Sequence, residues 1–123
     1  MSLFSTILLF VVALEALYIM GLEMFASNEK LHEIFGLRKE YLEMPEARVA
    51  MANQGLYNGF IGAGLLLSRF VLPSNAQYGA SLMFICFVVV AAIYGWLSAK
   101  NPKILLAQGS PALLALLALL ILH

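Results

Sequence analysis

The sequence predicts an all-α integral membrane protein: a single four-helix bundle spanning residues 1–123, with both termini outside. Hydrophobic residues make up 63% of the chain and charged residues 11%, against about 45–50% and about 25% in soluble domains. Four apolar runs each approach the roughly 20 residues that cross a bilayer. Short connections between the later runs make neighbouring helices antiparallel. These observations exclude a soluble domain, a disordered chain and a disulfide scaffold.

The four helices follow the apolar runs, at about 3–26, 47–72, 78–98 and 104–122. No Lys or Arg precedes the first run and no small-residue cleavage site follows it, so we expect a retained helix rather than a signal peptide. Pro45 suits the first turn of the second helix, where its missing N–H costs nothing. Cys86 lies in an apolar run, and a single cysteine excludes a disulfide framework.

The connection at 27–46 is the longest and differs from the others in composition. It interleaves charged residues with the apolar residues Leu31, Ile34, Phe35 and Leu37. This pattern is typical of a short amphipathic helix at the membrane interface. Ser27 or Asn28 could cap its start and Gly36 could end it. We expect a structural elbow, with recruitment of a partner as the alternative.

The basic residues predict the orientation of the bundle. Six of the seven lie in or beside the connections after the first and third helices: Lys30, Arg38, Lys39, Arg48, Lys100 and Lys103. The opposite side has only Arg69. Because cytoplasmic loops of membrane proteins are rich in Lys and Arg, these connections are predicted to be cytoplasmic. A formal net charge of zero gives no basic surface for nucleic acid.

Glu15 and Glu23 are the acidic residues of the first helix. Glu15 lies midway along it with no Lys or Arg at the same depth. An ionised carboxylate there costs at least about 2.5–3.5 kcal/mol. Glu15 is therefore expected to be protonated or hydrogen-bonded inside the bundle, as the protonatable group of a site. Glu23 is one turn from the cytoplasmic end and can stay ionised as an electrostatic anchor.

The second helix is the richest in polar residues. Asn53, Gln54 and Tyr57 fall within about 100° of one another on the helical wheel. A glycine stripe of Gly55, Gly59 and Gly62 lies roughly opposite Asn53. Its GxxxG pair permits close approach to a neighbouring helix or to another subunit. We therefore expect a homo-oligomer.

Depth in the membrane links these residues to the other helices. In the fourth helix, Pro111 cannot donate to the carbonyl of Ala107, so a break is expected at Q-G-S-P. The sequence predicts a polar pocket that opens to the cytoplasm, with Glu15 and Asn58 as its floor and Arg48 at its mouth. Its candidate ligand-binding residues are Glu15, Glu23, Asn53, Gln54, Tyr57, Asn58, Tyr94, Gln108 and Arg48.

The predicted function is the binding or transport of a small polar or amphipathic ligand. Amides and phenols in membrane helices also serve as glue between helices, so a purely structural protein is an alternative. The sequence shows no metalloprotease, nucleophile-elbow or phosphate-loop motif. Two carboxylates without a histidine in the membrane argue against a transition-metal site. No cofactor is expected, and membrane lipid is the expected partner.

Four segments carry a resemblance to a known family: L-E-A-L-Y-I-M-G-L-E-M-F, A-N-Q-G-L-Y-N-G-F, I-Y-G-W and Q-G-S-P-A-L-L. They resemble the small bacterial membrane proteins grouped as domain of unknown function 1304. The resemblance covers nearly the whole chain, and N-Q-G-L-Y-N-G is its most specific part. It implies four membrane helices in the bacterial inner membrane and no assigned activity.

A second resemblance leaves an enzymatic function as an alternative. E-A-R-V-A-M-A-N (46–53) is similar to the second-helix motif of the membrane-associated eicosanoid and glutathione metabolism enzymes, four-helix trimers that bind glutathione. Arg48 and Asn53 match, but position 56 is Leu instead of Glu and the second arginine is missing. The resemblance implies Tyr57 or Tyr94 facing a thiol and Arg48 holding a carboxylate. Glu15 alone also resembles the single acid in the first helix of four-helix multidrug exchangers.

Overall fold

The computed structural model describes residues 1–99 and 105–122, which form helices without any strand. The predicted all-α class is confirmed for this part of the chain. A π-helical turn at Leu105–Gly109 precedes the last helix. The α-helices are α1 (Leu3–Phe25), α2 (Asn28–Phe35), α3 (Lys39–Leu42), α4 (Pro45–Phe70), α5 (Ser74–Ala99) and α6 (Ser110–Ile121).

Some helices extend beyond the ends of the apolar runs, because polar residues at their ends are also helical. α4 begins at Pro45, which confirms the expected first-turn proline. α5 begins at Ser74 rather than near Tyr78. Its first turn is polar, and the Ala76 N–H donates to the Pro73 carbonyl at 2.9 Å. The apolar run in the sequence therefore marks the apolar part of this helix and not its first turn. Lys100, Lys103 and the predicted start at 104 lie outside the described residues.

Two helices are long and apolar enough to cross a membrane. They are Leu3–Phe25 and Ser74–Ser98, and each contains an 18-residue window with a mean hydropathy of 2.3. The apolar helix at Leu106–Ile121 is shorter. α4 has 26 residues but is not one of the two, because polar residues lower its hydropathy. Four membrane-spanning helices therefore remain a prediction.

The chain divides into two compact units, one of Met1–Glu15 with Ile61–His123 and the other of Ala16–Phe60. The first unit has its own apolar core. Its buried residues come from α1, α4, α5 and α6: Leu9, Val12, Ala13, Leu65, Ile85, Ala112, Ala115 and Leu119. The Tyr78 hydroxyl donates to the Leu119 carbonyl at 2.7 Å, which fastens α5 to the end of α6.

The second unit contains the elbow, residues 26–44. The Lys30 N–H donates to the Ser27 hydroxyl at 3.2 Å, and Gly36 ends α2 in the left-handed region at φ 68°. Both predicted caps are confirmed. A second buried cluster joins α2, α3 and α4, and it comprises Leu31, Leu42 and Met51. The elbow is therefore folded against the start of α4 through a shared buried cluster.

The glycine pair of α4 lies in this second unit and faces α1. A Cβ placed on Gly55 would lie 2.9 Å from the Cβ of Glu23. A Cβ on Gly59 would overlap the sulfur of Met20. The close packing that GxxxG predicts is thus made with a neighbouring helix of the same chain. These two glycines leave no free face for a second copy, and the homo-oligomer stays a prediction.

The break predicted at Q-G-S-P takes the form of the π-helical turn. Leu105–Gly109 are π-helical, and α6 begins at Ser110 with Pro111 in its first turn. A wider turn ahead of a proline accommodates the missing N–H and the bulk of the ring. Gly109, at the junction, keeps ordinary right-handed helical angles. The chain therefore changes its helical register at this point while staying helical.

Candidate functional site

Glu23 lies two residues before the end of α1, and its side chain is only 4% exposed. Its Oε1 accepts a hydrogen bond from the Asn58 amide at 2.7 Å. Its Oε2 accepts one from the Gln54 amide at 2.9 Å. Gln54 and Asn58 are four residues apart on α4, so they share one helix face. We call these three residues the Glu23 cluster.

Close packing of α1 on α4 places the cluster. Gly55 and Gly59 each follow one of the two amide residues in sequence. A Cβ on Gly55 would also lie 3.2 Å from the Met20 carbonyl oxygen. Because the helix backbones approach this closely, a side chain as short as asparagine reaches across to the carboxylate. The glycines therefore set the distance, and the residues beside them supply the donors.

The donors of the Glu23 cluster are neutral amides. The α4 arginines, Arg48 and Arg69, each donate to other partners. A buried carboxylate is costly unless hydrogen bonds and opposite charge offset the lost hydration. Among the described residues, the contacts that offset the lost hydration of Glu23 are its hydrogen bonds from Gln54 and Asn58. The Glu23 carboxylate thus accepts hydrogen bonds from uncharged groups. A proton or a cation can neutralise the negative charge of this carboxylate.

Arg48 forms a second polar centre in the same unit. Its guanidinium donates to Oδ1 of Asn28 and, at 2.9 Å, to the carbonyl of Ala26. The Asn28 amide in turn donates to the Leu42 carbonyl at 3.2 Å. Arg48 also places a positive charge at the C-terminal end of α1, where the helix dipole favours one. These contacts, the Arg48 clamp, join the ends of α1, α2 and α3 to α4.

The structure brings three of the candidate site residues together, namely Glu23, Gln54 and Asn58. In the same unit, Asn53 and Tyr57 are exposed on α4, and the Tyr57 ring packs edge-on against Phe60. Arg48, expected at the pocket mouth, is engaged in the clamp.

The other candidates belong to the first unit. Glu15 and Gln108 are half-buried, and Tyr94 is exposed. No hydrogen bond is found for the Glu15 carboxylate within the described part of the chain. A single pocket lined by all the candidate residues remains a prediction.

Some polar contacts are not foreseen by sequence reasoning. The sequence suggests Asn28 only as a possible cap, yet it is the centre of the Arg48 clamp. At the end of the first unit, Arg69 donates to Thr6 at 3.2 Å and to Gln77 at 3.5 Å. Ser81 is fully buried, and its hydroxyl has no hydrogen-bond partner among the described residues. The sequence shows that polar residues lie near helix ends, and this is a sign that they make polar contacts. It does not show which contacts, because their partners are far away in sequence.

Comparison with known proteins identifies the family. The sequence profile described as "Protein of unknown function (DUF1304)" matches residues 10–120. The chain belongs to the DUF1304 family. A relative, "Uncharacterized protein YpaA" of Lactococcus lactis subsp. lactis (strain IL1403), is 40% identical over 119 residues. The alignment covers 96% of this chain and 98% of the relative. No solved structure matches this DUF1304 protein.

Proposed function

We propose that this DUF1304 protein is a multi-pass protein of the bacterial inner membrane that binds or transports a small polar or amphipathic ligand at the Glu23 cluster. The observation that carries the proposal is a carboxylate only 4% exposed near the end of an apolar helix, which accepts hydrogen bonds from two neutral amides. Ionisable residues within apolar membrane helices are costly and mark functional sites.

The surface of the two long apolar helices supports a membrane location. Only 22% of the apolar window of α1 and 17% of that of α5 are buried within the chain. The core helix of a soluble protein is mostly buried. Large side chains such as Leu3, Phe25 and Val90 are exposed instead. Apolar surface of this extent is unfavourable in water, whereas lipid chains solvate it. The basic residues of the elbow then favour a cytoplasmic position for it.

The chemistry of the cluster favours binding over simple helix packing. Glutamine and asparagine bond well to one another across membrane helices, so a structural contact needs no acid. Glu23 is a buried carboxylate, and burying a charge has a cost in free energy that packing alone does not require. The Gln54 side chain is exposed, although the carboxylate that it contacts is buried. Movement of this one side chain would therefore open Oε2 to a ligand.

Native mass spectrometry of the protein released gently from its membrane tests the proposal. We expect the wild type to retain a small molecule and the Glu23→Gln variant to lose it. Glu46→Gln is the matched control, since it removes an exposed carboxylate of α4 that lies outside the candidate site. Far-ultraviolet circular dichroism checks that both variants fold. Retention by Glu23→Gln equal to that of the wild type, or a wild type that carries no small molecule, would contradict the proposal.

A glutathione-dependent enzyme and a protein that recruits a partner through its elbow are the other candidate functions. The enzyme needs Arg48 to hold a substrate carboxylate, but Arg48 is engaged with Asn28 and the Ala26 carbonyl. The buried cluster of Leu31, Leu42 and Met51 packs the elbow against α4, as expected of a structural connection between helices. We therefore propose neither.

A further inference from the structure

We infer that the ligand of the Glu23 cluster is a monovalent organic cation, an ammonium group on an apolar body, which takes the place of Gln54 on Oε2 of Glu23. This inference rests on the proposed function and names its ligand class. The arguments come from charge, from hydrogen-bonding capacity and from the exposure of the two amides.

Charge decides between cationic and anionic ligands. The carboxylate accepts from neutral amides, and the arginines of α4 donate elsewhere. An anionic ligand brought to Glu23 would add like charge in a setting where water screens little. A cation would neutralise the carboxylate and remove the cost of an unpaired buried charge. The cluster thus favours positive ligands over negative ones.

The set of donors decides between an organic cation and a metal ion. Within the described residues, no group of three or more His, Cys, Asp or Glu could hold a metal ion. Ca²⁺ takes about 6–8 oxygen ligands, and Mg²⁺ keeps a strict octahedron, whereas this cluster has one carboxylate. An ammonium needs only acceptors for its N–H groups. A carboxylate offers about four lone-pair positions, of which the two amides use two.

The side chains next to Glu23 suit an apolar body. Met20 and Met24 flank Glu23 on α1, and both reach toward the glycine face of α4. Both methionines are half-buried. Unbranched thioether side chains adapt to irregular shapes and contact aromatic rings favourably. A ligand with its ammonium group on Glu23 would therefore find movable apolar neighbours beside the charge.

Gln54 and Asn58 differ in exposure, and the difference makes Gln54 the amide that a ligand can replace. Asn58 is half-buried and makes the shorter bond, 2.7 Å, to Oε1. Gln54 is exposed, and its longer side chain makes a 2.9 Å bond to Oε2. A charged donor also forms a stronger hydrogen bond to a carboxylate than a neutral amide does. The ammonium therefore displaces Gln54, while Asn58 stays in place and holds Oε1.

Isothermal titration calorimetry of the whole protein in lipid nanodiscs tests this inference. The probes are benzylammonium, the neutral benzyl alcohol and the anionic benzoate, which share one ring and differ in charge. We expect benzylammonium to bind most tightly and to bind at least about tenfold more weakly to Glu23→Gln, because loss of a charge-assisted bond is that large. Glu46→Gln, which removes an exposed carboxylate of α4 outside the candidate site, should bind it as the wild type does, and any partition into lipid is the same for every variant.

Gln54→Ala supplies a second, independent measurement. It removes the amide that competes for Oε2, so benzylammonium should bind this variant more tightly than the wild type. Weaker binding to Gln54→Ala would overturn the replacement of Gln54. The cationic ligand would be overturned if benzylammonium bound Glu23→Gln as tightly as the wild type. It would also be overturned if the wild type bound benzyl alcohol as tightly as benzylammonium. Native mass spectrometry decides the proposed function separately, since a neutral molecule retained through Glu23 would sustain it and refute the cation.

Discussion

Gly55 and Glu23 meet so closely across α4 and α1 that the glycine has no room for a side chain. A Cβ on Gly55 would lie 2.9 Å from the Cβ of Glu23 and 3.1 Å from Cγ of Met24. Gly55→Ala should destabilise the protein by about 1–3 kcal/mol, because the helices must separate or shift to admit the methyl group. Unfolding of the detergent-solubilised protein by sodium dodecyl sulfate measures this change.

Gly21→Ala is the control for that substitution. Gly21 is in α1, and a Cβ placed there meets nothing within 4 Å. The alanine should be neutral or stabilise the protein by up to about 1 kcal/mol, since alanine favours the helix. Equal effects of the two substitutions would contradict the close contact of Gly55 with Glu23.

Asn58→Ala should cost more than Asn53→Ala. Asn58 donates to the buried carboxylate of Glu23, and a hydrogen bond to a charged group contributes about 1.5–3 kcal/mol. Asn53 is the same residue type on the same helix but is exposed, so its loss should stay within about 0.5 kcal/mol. The same unfolding titration compares the two. A larger loss for Asn53→Ala would show that the exposed face of α4 is covered in the membrane.

Arg48→Lys should loosen the elbow. The guanidinium spans the Asn28 side chain and the Ala26 carbonyl at once, whereas a lysine ammonium lacks the planar fork that makes such paired contacts. Limited proteolysis of the segment between α2 and α3 should become faster. Arg38→Lys is the matched control, because Arg38 is exposed and no hydrogen bond is found for its side chain within the described residues.

A double-mutant cycle of Arg48→Lys with Asn28→Ala tests the clamp directly. Residues in one hydrogen-bond network couple by about 0.5–3 kcal/mol. Additive effects of the two substitutions on the free energy of unfolding would mean that Arg48 and Asn28 do not act together.

Ser81→Ala should be neutral or stabilising. The Ser81 hydroxyl is fully buried without a hydrogen-bond partner in residues 1–99 and 105–122, and a buried unsatisfied polar group costs about 1–3 kcal/mol. Ser68 is buried to a similar degree, but its hydroxyl donates to the Gly64 carbonyl at 2.6 Å. Ser68→Ala loses that bond and should be the less stable of the two in thermal unfolding. Clear destabilisation by Ser81→Ala would mean that a bound water serves this hydroxyl.

Local signals in the sequence predict much of the secondary structure. Ser27 and Gly36 mark the ends of α2 because a side-chain acceptor and a residue without Cβ are what those positions require. Pro45 and Pro111 lie where a missing N–H is tolerated. In each case the cause lies within a few residues of the effect.

The contacts of the site are harder to predict because they join distant parts of the chain. Wheel and depth arguments place Glu15 and Glu23 on the interior side but favour Glu15 as the central acid. The acid that accepts hydrogen bonds from the amides is the one beside which the glycines bring α4 close to α1. The alignment of one helix along the other is a contact between distant residues, and a single helix does not reveal it. Gln54 is exposed and still bonds to a buried carboxylate, so its position on the helix alone does not reveal its role.

The π-helical turn at Leu105–Gly109 runs directly into α6, and its hydrogen bonds span one residue more than those of an α-helix. Removing a single residue from this turn would rotate α6 by about 100° relative to Leu105. Ala112, Ala115 and Leu119, which now fill the core of the first unit, would turn away from it. Substitutions in this turn should therefore be tolerated far better than a change in its length.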